Sequence, residues 1–201
     1  MRLLPAGDHA LLVELASLDE VLGYYTALAE DPPEGVVDIV PAARTVLVTT
    51  TGELDGLARR LGAIEPLAGS RGTGDLIEIP VVYDGEDLQD VAELLGCSQR
   101  EVIERHTAEE WTVAFCGFSP GFGYLTGAGD WDVPRRKSPR TKVPAGAVAL
   151  AGEFSGVYPR ESPGGWQLLG RTEVKIFDQD RRLAALLHPG RRVRFTDTGR
   201  R

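Results

Sequence analysis

The chain has 201 residues, a formal net charge of −8 at pH 7, 42% apolar and 26% charged side chains, and two cysteines. That is a globular composition with room for one large or two small domains. It excludes a disulfide scaffold and a low-complexity linker, and its acidic excess would repel a polyanion, so nucleic acid is not the expected partner.

The opening MRLLPAGDHALLVEL is broken by Pro5, Asp8 and His9 where a leader needs an unbroken apolar run, and no later run approaches spanning length. A cytoplasmic protein with no membrane segment is expected. ALLVEL (10–15) is apolar enough for a buried strand. Ser17 and Glu20 then form the S-x-x-E spacing of a capping box, and Val21, Leu22, Tyr25, Leu28 and Ala29 continue at helical period. Pro32, Pro33 and Gly35 stop that helix, and the β-branched runs VVDIV (36–40) and RTVLVTT (44–50) follow as two strands. A second amphipathic helix is expected over 54–61. Strand, helix, two strands and helix, closed by a further strand, predict an α+β N-terminal domain of the ferredoxin-like kind over residues 1–70.

Residues 65–75, EPLAGSRGTGD, lack apolar periodicity and hold three glycines, which marks a domain boundary. LIEIPVVY opens a second domain, 76–201. A helix over 86–95 ends at Gly96, and Ser98 with Glu101 caps another over 99–107, placing His106 in its last turn. There a cation would be favoured by the helix dipole. From Trp111 the strand candidates WTVAFCGF, AVALA, WQLLG, VKIF and RRVRF alternate with turns, as in a small barrel. Cys97 and Cys116 lack metal-ligand spacing and read as buried free thiols, and no metal site is indicated.

Residues 112–172 hold 11 of the 24 glycines, 6 of the 13 prolines and 8 of the 14 aromatic side chains. Seven cations stand there against four carboxylates, so the stretch is +3 while the remaining 140 residues sum to −11. Aromatics among turn residues mean shaped loops, and clustered guanidinium groups suit a small carboxylate or phosphate. Three clusters carry this. In GFSPGFGYL (117–125), Gly117, Gly121 and Gly123 free the backbone while Phe118, Phe122 and Tyr124 form a wall, and in PRRKSPRTKVPAG (134–146) Pro134, Pro139 and Pro144 stiffen a loop bearing five cations, among them Arg135, Arg136 and Arg140. YPRESPGGWQLLGRT (158–172) adds Tyr158, Pro163, Gly164, Gly165 and Trp166. The plainer alternative is a set of irregular barrel loops held by proline and aromatic packing.

These three motifs together resemble the signature of the 5-oxoprolinase B-subunit family, also described as KipI-like sensor-kinase inhibitors and allophanate hydrolase subunit 1. The same unit occurs in the carboxyltransferase domain of urea carboxylases. GDHALLVEL, IPVVYDG and EVIERHT match too, so the resemblance covers essentially the whole chain. It implies a mainly β cyclophilin-like barrel after the N-terminal domain, and work beside a KipA-like C component and a LamB/YcsF-like A component, converting 5-oxo-L-proline to L-glutamate with ATP. On that reading Phe118, Pro120, Gly121, Tyr124, Arg135, Arg136, Arg140, Pro144, Gly146, Tyr158, Pro163, Gly164, Gly165 and Trp166 bind the substrate, a small anionic cyclic amide. Arg135, Arg136 or Arg140 takes its carboxylate, Tyr124 or Trp166 packs on its ring, and His106 is the candidate acid–base residue. The chain shows no nucleotide fingerprint of its own, so ATP is used by the complex and the single chain is expected to be inactive. The alternatives are a regulator that binds and inhibits a sensor histidine kinase, and a component of an allophanate hydrolase or urea carboxyltransferase.

Overall fold

The computed structural model describes residues 1–67 and 74–199. The chain divides into two compact units, Met1–Thr73 and Gly74–Arg201. Most of the glycine-rich stretch expected as the boundary, residues 68–73, lies outside the described residues.

The first unit runs β1 (Arg2–Pro5), β2 (Ala10–Glu14), α1 (Leu18–Glu30), β3 (Val36–Pro41), β4 (Thr45–Thr50) and α2 (Leu54–Gly62). Its sheet is antiparallel in the order β1-β2-β4-β3. The fourth strand, expected after the second helix, is instead β1, which comes before the others and pairs Arg2–Pro5 with β2. The capping signal at 17–20 works in half: Ser17 Oγ accepts the Glu20 amide at 3.2 Å, but Glu20 accepts the Ala16 amide, at 3.0 Å, rather than that of the cap residue, so the box is not closed. Register pairs Leu11 with Val48 and Val13 with Val46, so one face of the sheet is apolar. Val21, Tyr24 and Leu28 of α1 and Leu57 and Leu61 of α2 close over it. The buried Tyr24 hydroxyl is satisfied by the Leu61 carbonyl at 2.8 Å.

The second unit begins with β5 (Leu76–Val81), α3 (Leu88–Leu94) and α4 (Gln99–Ala108). It continues with β6 (Trp111–Cys116), β7 (Gly123–Thr126), β8 (Arg140–Val143), β9 (Ala147–Ala151), β10 (Phe154–Val157), β11 (Ser162–Gly164), β12 (Gln167–Arg171) and β13 (Arg192–Asp197). Seven strands form one sheet in the order β12-β9-β10-β7-β6-β13-β5, antiparallel except for β13 against β5. Val82, just past β5, exchanges two 2.9 Å backbone hydrogen bonds with Arg171 of β12. The two end strands thus meet, and the sheet is nearly closed into a barrel. β8 and β11 form a separate two-stranded ribbon.

The barrel core gathers Ile79 and Val81 from β5, Val113 from β6, Leu125 from β7, Val148 and Leu150 from β9, and Val193 and Phe195 from β13, with Val91 and Val102 from the two helices. α4 carries a complete capping box between Ser98 and Glu101, and Gly96, at φ 64°, makes the turn into it. α3 starts two residues later than the sequence suggests, because Asp87 is held outside the helix by contacts described below. VKIF (174–177) is not a strand. The chain folds back on itself, with a single bridge from Phe177 to Ala185, as Asp178 accepts the Asp180 amide and the Lys175 ammonium. Among the described residues no helix is long and apolar enough to cross a membrane.

Candidate functional site

Strand alternation sends Val148 and Leu150 of β9 into the barrel core and Ala147, Ala149 and Ala151 to its other face. Three methyl-sized side chains there leave room for rings. Phe122, Tyr158 and Trp166 are buried against them, with Tyr124 and Phe154 packed alongside. The rings meet edge-to-face: Phe122 stands 5.2 Å from both Tyr158 and Trp166, at 76° and 88°, and Tyr124 stands 5.4 Å from Trp166 at 70°. This is the favourable aromatic geometry, and it makes a stiff wall.

That wall bounds a cavity of about 240 Å³. Phe118, Phe122 and Tyr124 come from the first motif, Arg135 and Pro139 from the second, and Tyr158, Pro163, Gly164, Gly165 and Trp166 from the third. The three clusters therefore converge on one space. Phe118 is its exposed rim: 58% accessible, edge-on to Phe122 at 5.4 Å, and held at φ 65°, a left-handed conformation costly for a non-glycine residue. Gly164 is required for steric reasons, since a Cβ there would lie 2.3 Å from the Tyr158 hydroxyl.

The cations separate. Asp87, 2% exposed at its side chain, accepts both Arg140 terminal nitrogens at 2.8 Å, the Arg136 guanidinium, and the Leu168 amide at 2.7 Å. Its own amide donates to the Leu168 carbonyl at 3.1 Å. Arg140 is further held by Glu86 at 3.0 Å, and the Arg136 amide donates to the Gly165 carbonyl at 2.8 Å. Burial alone would raise the Asp87 pKa, but the Arg140 and Leu168 hydrogen bonds and the two guanidinium charges outweigh it and hold the carboxyl below its usual range. Both arginines thus serve the loop's attachment to β12. Arg135 makes no hydrogen bond or ion pair among the described residues, and it is the guanidinium on the cavity wall.

Pro120, Gly121, Pro144 and Gly146 do not line the cavity. Pro120 and Gly121 form the turn closed by the Phe122 amide on the Ser119 carbonyl at 2.9 Å, with Phe177 packed against Gly121. Gly146 links strands, donating to the Tyr158 carbonyl at 2.7 Å and accepting from the Thr172 amide at 2.9 Å, and Pro144 begins its turn.

His106 lies in the barrel core, fully buried. Its Nδ1 is 2.7 Å from the Tyr83 hydroxyl, its Nε2 2.9 Å from Ser155 Oγ, and its ring stacks on Phe195 at 4.5 Å. Burial pushes its pKa down to about 3, so it is neutral and not a helix-end cation. Both ring nitrogens are occupied by these protein partners. The cysteines are free and partly buried, and burial raises the Cys116 thiol to about 11, which keeps it inert.

Sequence reasoning missed two contributors. Pro139 belongs to a motif already flagged for its stiffness. Asp87 sits 49 and 53 residues before Arg136 and Arg140, and nothing local distinguishes it from its acidic neighbours.

A family profile described as "Carboxyltransferase domain, subdomain C and D" matches residues 1–187. The B subunit of 5-oxoprolinase from Escherichia coli O157:H7 is 39% identical, over 94% of this chain and 92% of its own length. The crystal structure of TTHA0988 superposes with a TM-score of 0.78 at 35% identity, covering 96% of this chain, which spans only 40% of TTHA0988. The Kluyveromyces lactis urea carboxylase shares the fold, at TM-score 0.70 and 18% identity, over 97% of this chain and 21% of that enzyme.

Proposed function

The chain belongs to the carboxyltransferase subdomain C and D family and, within it, to the 5-oxoprolinase B-subunit proteins; from that membership we propose that it is the B component of an ATP-dependent 5-oxoprolinase. In this reading it converts 5-oxo-L-proline to L-glutamate together with a KipA-like C component and a LamB/YcsF-like A component.

The observation that carries the reading is the cavity. 5-Oxoproline is a small ring bearing one carboxylate and one amide carbonyl, and it needs a cation, a flat apolar surface and little volume. Arg135 supplies the first and Tyr124 and Trp166 the second. About 240 Å³ lies below the roughly 300–1,000 Å³ usual for drug-sized ligands, which suits so small a molecule. The lining residues include no carboxylate, imidazole or thiol. They bind and orient, and activation of the amide oxygen by ATP falls to the other components.

The same reading makes residues 1–70 a ferredoxin-like domain, supported by the β1-β2-β4-β3 order under two helices, and 76–201 a cyclophilin-like barrel, supported by the closure at Val82 and Arg171. Two unpaired cysteines favour a reducing, cytoplasmic setting.

Coexpression with the genes for the two partner components, size-exclusion chromatography and a 5-oxoproline-dependent ATPase assay test the proposal. The expected result is one complex with turnover, and background activity for this chain alone. Turnover by the purified single chain, or an assembled complex indifferent to 5-oxoproline, would contradict it.

A further inference from the structure

We infer that Tyr158 is the specificity-determining residue of the cavity, its phenol donating a hydrogen bond to the carbonyl oxygen of a cyclic amide whose carboxylate lies on Arg135. This rests on the 5-oxoprolinase reading and goes beyond it, because it assigns recognition of the amide to one atom of this chain.

Tyr158 is only 1% exposed, yet it lines the cavity. Its ring is fixed by Phe122, edge-on at 5.2 Å, and by Phe118 at 6.3 Å and 82°, so the hydroxyl has one position. That position is the Gly164 edge of the cavity, where a Cβ would come within 2.3 Å of the oxygen. The Trp166 backbone amide is near enough to the same oxygen to lower its pKa. Among the described residues no group accepts the phenol's proton. A phenol that gives no hydrogen bond within the protein and opens on the cavity has its proton available to a ligand oxygen that displaces water there.

Burial raises the Tyr158 pKa and outweighs the Trp166 amide and the Arg135 charge, which lower it, so the group stays protonated near neutrality while remaining within electrostatic reach of that guanidinium. The phenol is a neutral donor that suits a carbonyl oxygen, and Arg135 carries the charge that suits a carboxylate. The two donors therefore divide one ligand between them, carboxylate to the guanidinium and carbonyl to the phenol. Tyr124 and Trp166 line the same space, and the Gly165 carbonyl, held by the Arg136 amide, is an acceptor and cannot meet another carbonyl. The carbonyl is assigned to Tyr158 because its hydroxyl is the donor held against Gly164 by a ring with one position.

The test is calorimetric binding of two probes, 5-oxo-L-proline and cyclopentanecarboxylate, to the full chain, alone and in the assembled complex. The second probe keeps ring and carboxylate but lacks the amide. Wild-type protein should prefer 5-oxoproline by about tenfold, the worth of one well-placed hydrogen bond. Tyr158→Phe keeps the ring and its contacts. It should bind cyclopentanecarboxylate as the wild type does and lose the preference for 5-oxoproline, with retained binding of the cyclopentane probe reporting an intact fold. Arg135→Gln should weaken both probes together. A Tyr158→Phe protein that still prefers 5-oxoproline tenfold would overturn the inference while leaving the 5-oxoprolinase reading standing, and so would one that loses both probes equally. If wild-type protein binds neither probe in either form, the reading itself falls, and the inference with it.

Discussion

Replacing Asp87 with alanine is expected to destabilise the barrel unit by about 3 kcal/mol, a fall in melting temperature of roughly 6–12 °C. The carboxylate is almost wholly buried and satisfies Arg136, Arg140 and the Leu168 amide at once. Removing it strands two guanidinium groups and a backbone donor. The estimate sits at the low end for a broken buried pair because the Arg136 side chain is 31% exposed and water recovers part of its charge. Asp87→Asn keeps an acceptor for Leu168 but loses the charge, and should cost roughly half as much. Arg140→Lys should also lower the melting temperature, since an ammonium cannot span both carboxylate oxygens. By contrast Asp84→Ala, which breaks the exposed pair with Arg171, should cost less than about 1 kcal/mol. The sign with pH follows from the depressed Asp87 pKa: its contribution is complete above the unfolded value, about 3.9, and is lost as pH falls below it. An Asp87→Ala protein melting within a degree or two of wild type would show that the cluster holds nothing together.

The second large effect lies at milder acidity and belongs to His106. Its folded pKa of about 3 is far below the unfolded value of about 6.5, so the unfolded chain takes up the proton first. The stability that the neutral, buried imidazole provides is fully present above pH 6.5 and declines as pH falls toward 3. The slope approaches roughly 1.4 kcal/mol per pH unit, so from pH 6 to 4 the protein should lose on the order of 3 kcal/mol through this one group. His106→Gln retains a donor and an acceptor for Tyr83 and Ser155 without a titrating ring. It should be less stable than wild type at pH 7 and show a nearly flat profile between pH 6 and 4. Denaturant midpoints measured across that range decide the matter: parallel wild-type and variant profiles would mean that His106 is not the group responsible.

How far each feature was legible in the sequence depended on how local its cause is. The capping residues Ser17 and Ser98 and the turn at Gly96 act within four residues, and the helices begin and end close to where these place them. β2, β4, β9 and β13 are apolar or β-branched runs and declare themselves. β7, β8 and β10 do not, because GYLT, RTKV and FSGV are strands only through their partners across the sheet or ribbon. VKIF errs the other way: it has strand composition but no neighbour to pair along its length. The site divides on the same line. Three motifs rich in rings and glycine foretold a cavity, since each is a short-range signal. Which of three nearby cations faces it was not foretold, because Asp87, about fifty residues away, takes two of them. His106 likewise reads as a helix-end residue until the barrel closes around it.

Recognition of the carboxylate turns on Arg135, the guanidinium left to the cavity once Asp87 has taken its neighbours. Its most direct test is the Michaelis constant for 5-oxoproline of the reconstituted complex carrying Arg135→Gln. Loss of a charged grip on the carboxylate should raise KM by about ten- to a hundredfold with kcat little changed, because that grip is made equally in the ground and transition states. Melting temperature and complex assembly should be those of wild type, since Arg135 makes no hydrogen bond or ion pair among the described residues. An assembled Arg135→Gln complex with wild-type KM for 5-oxoproline would contradict the account.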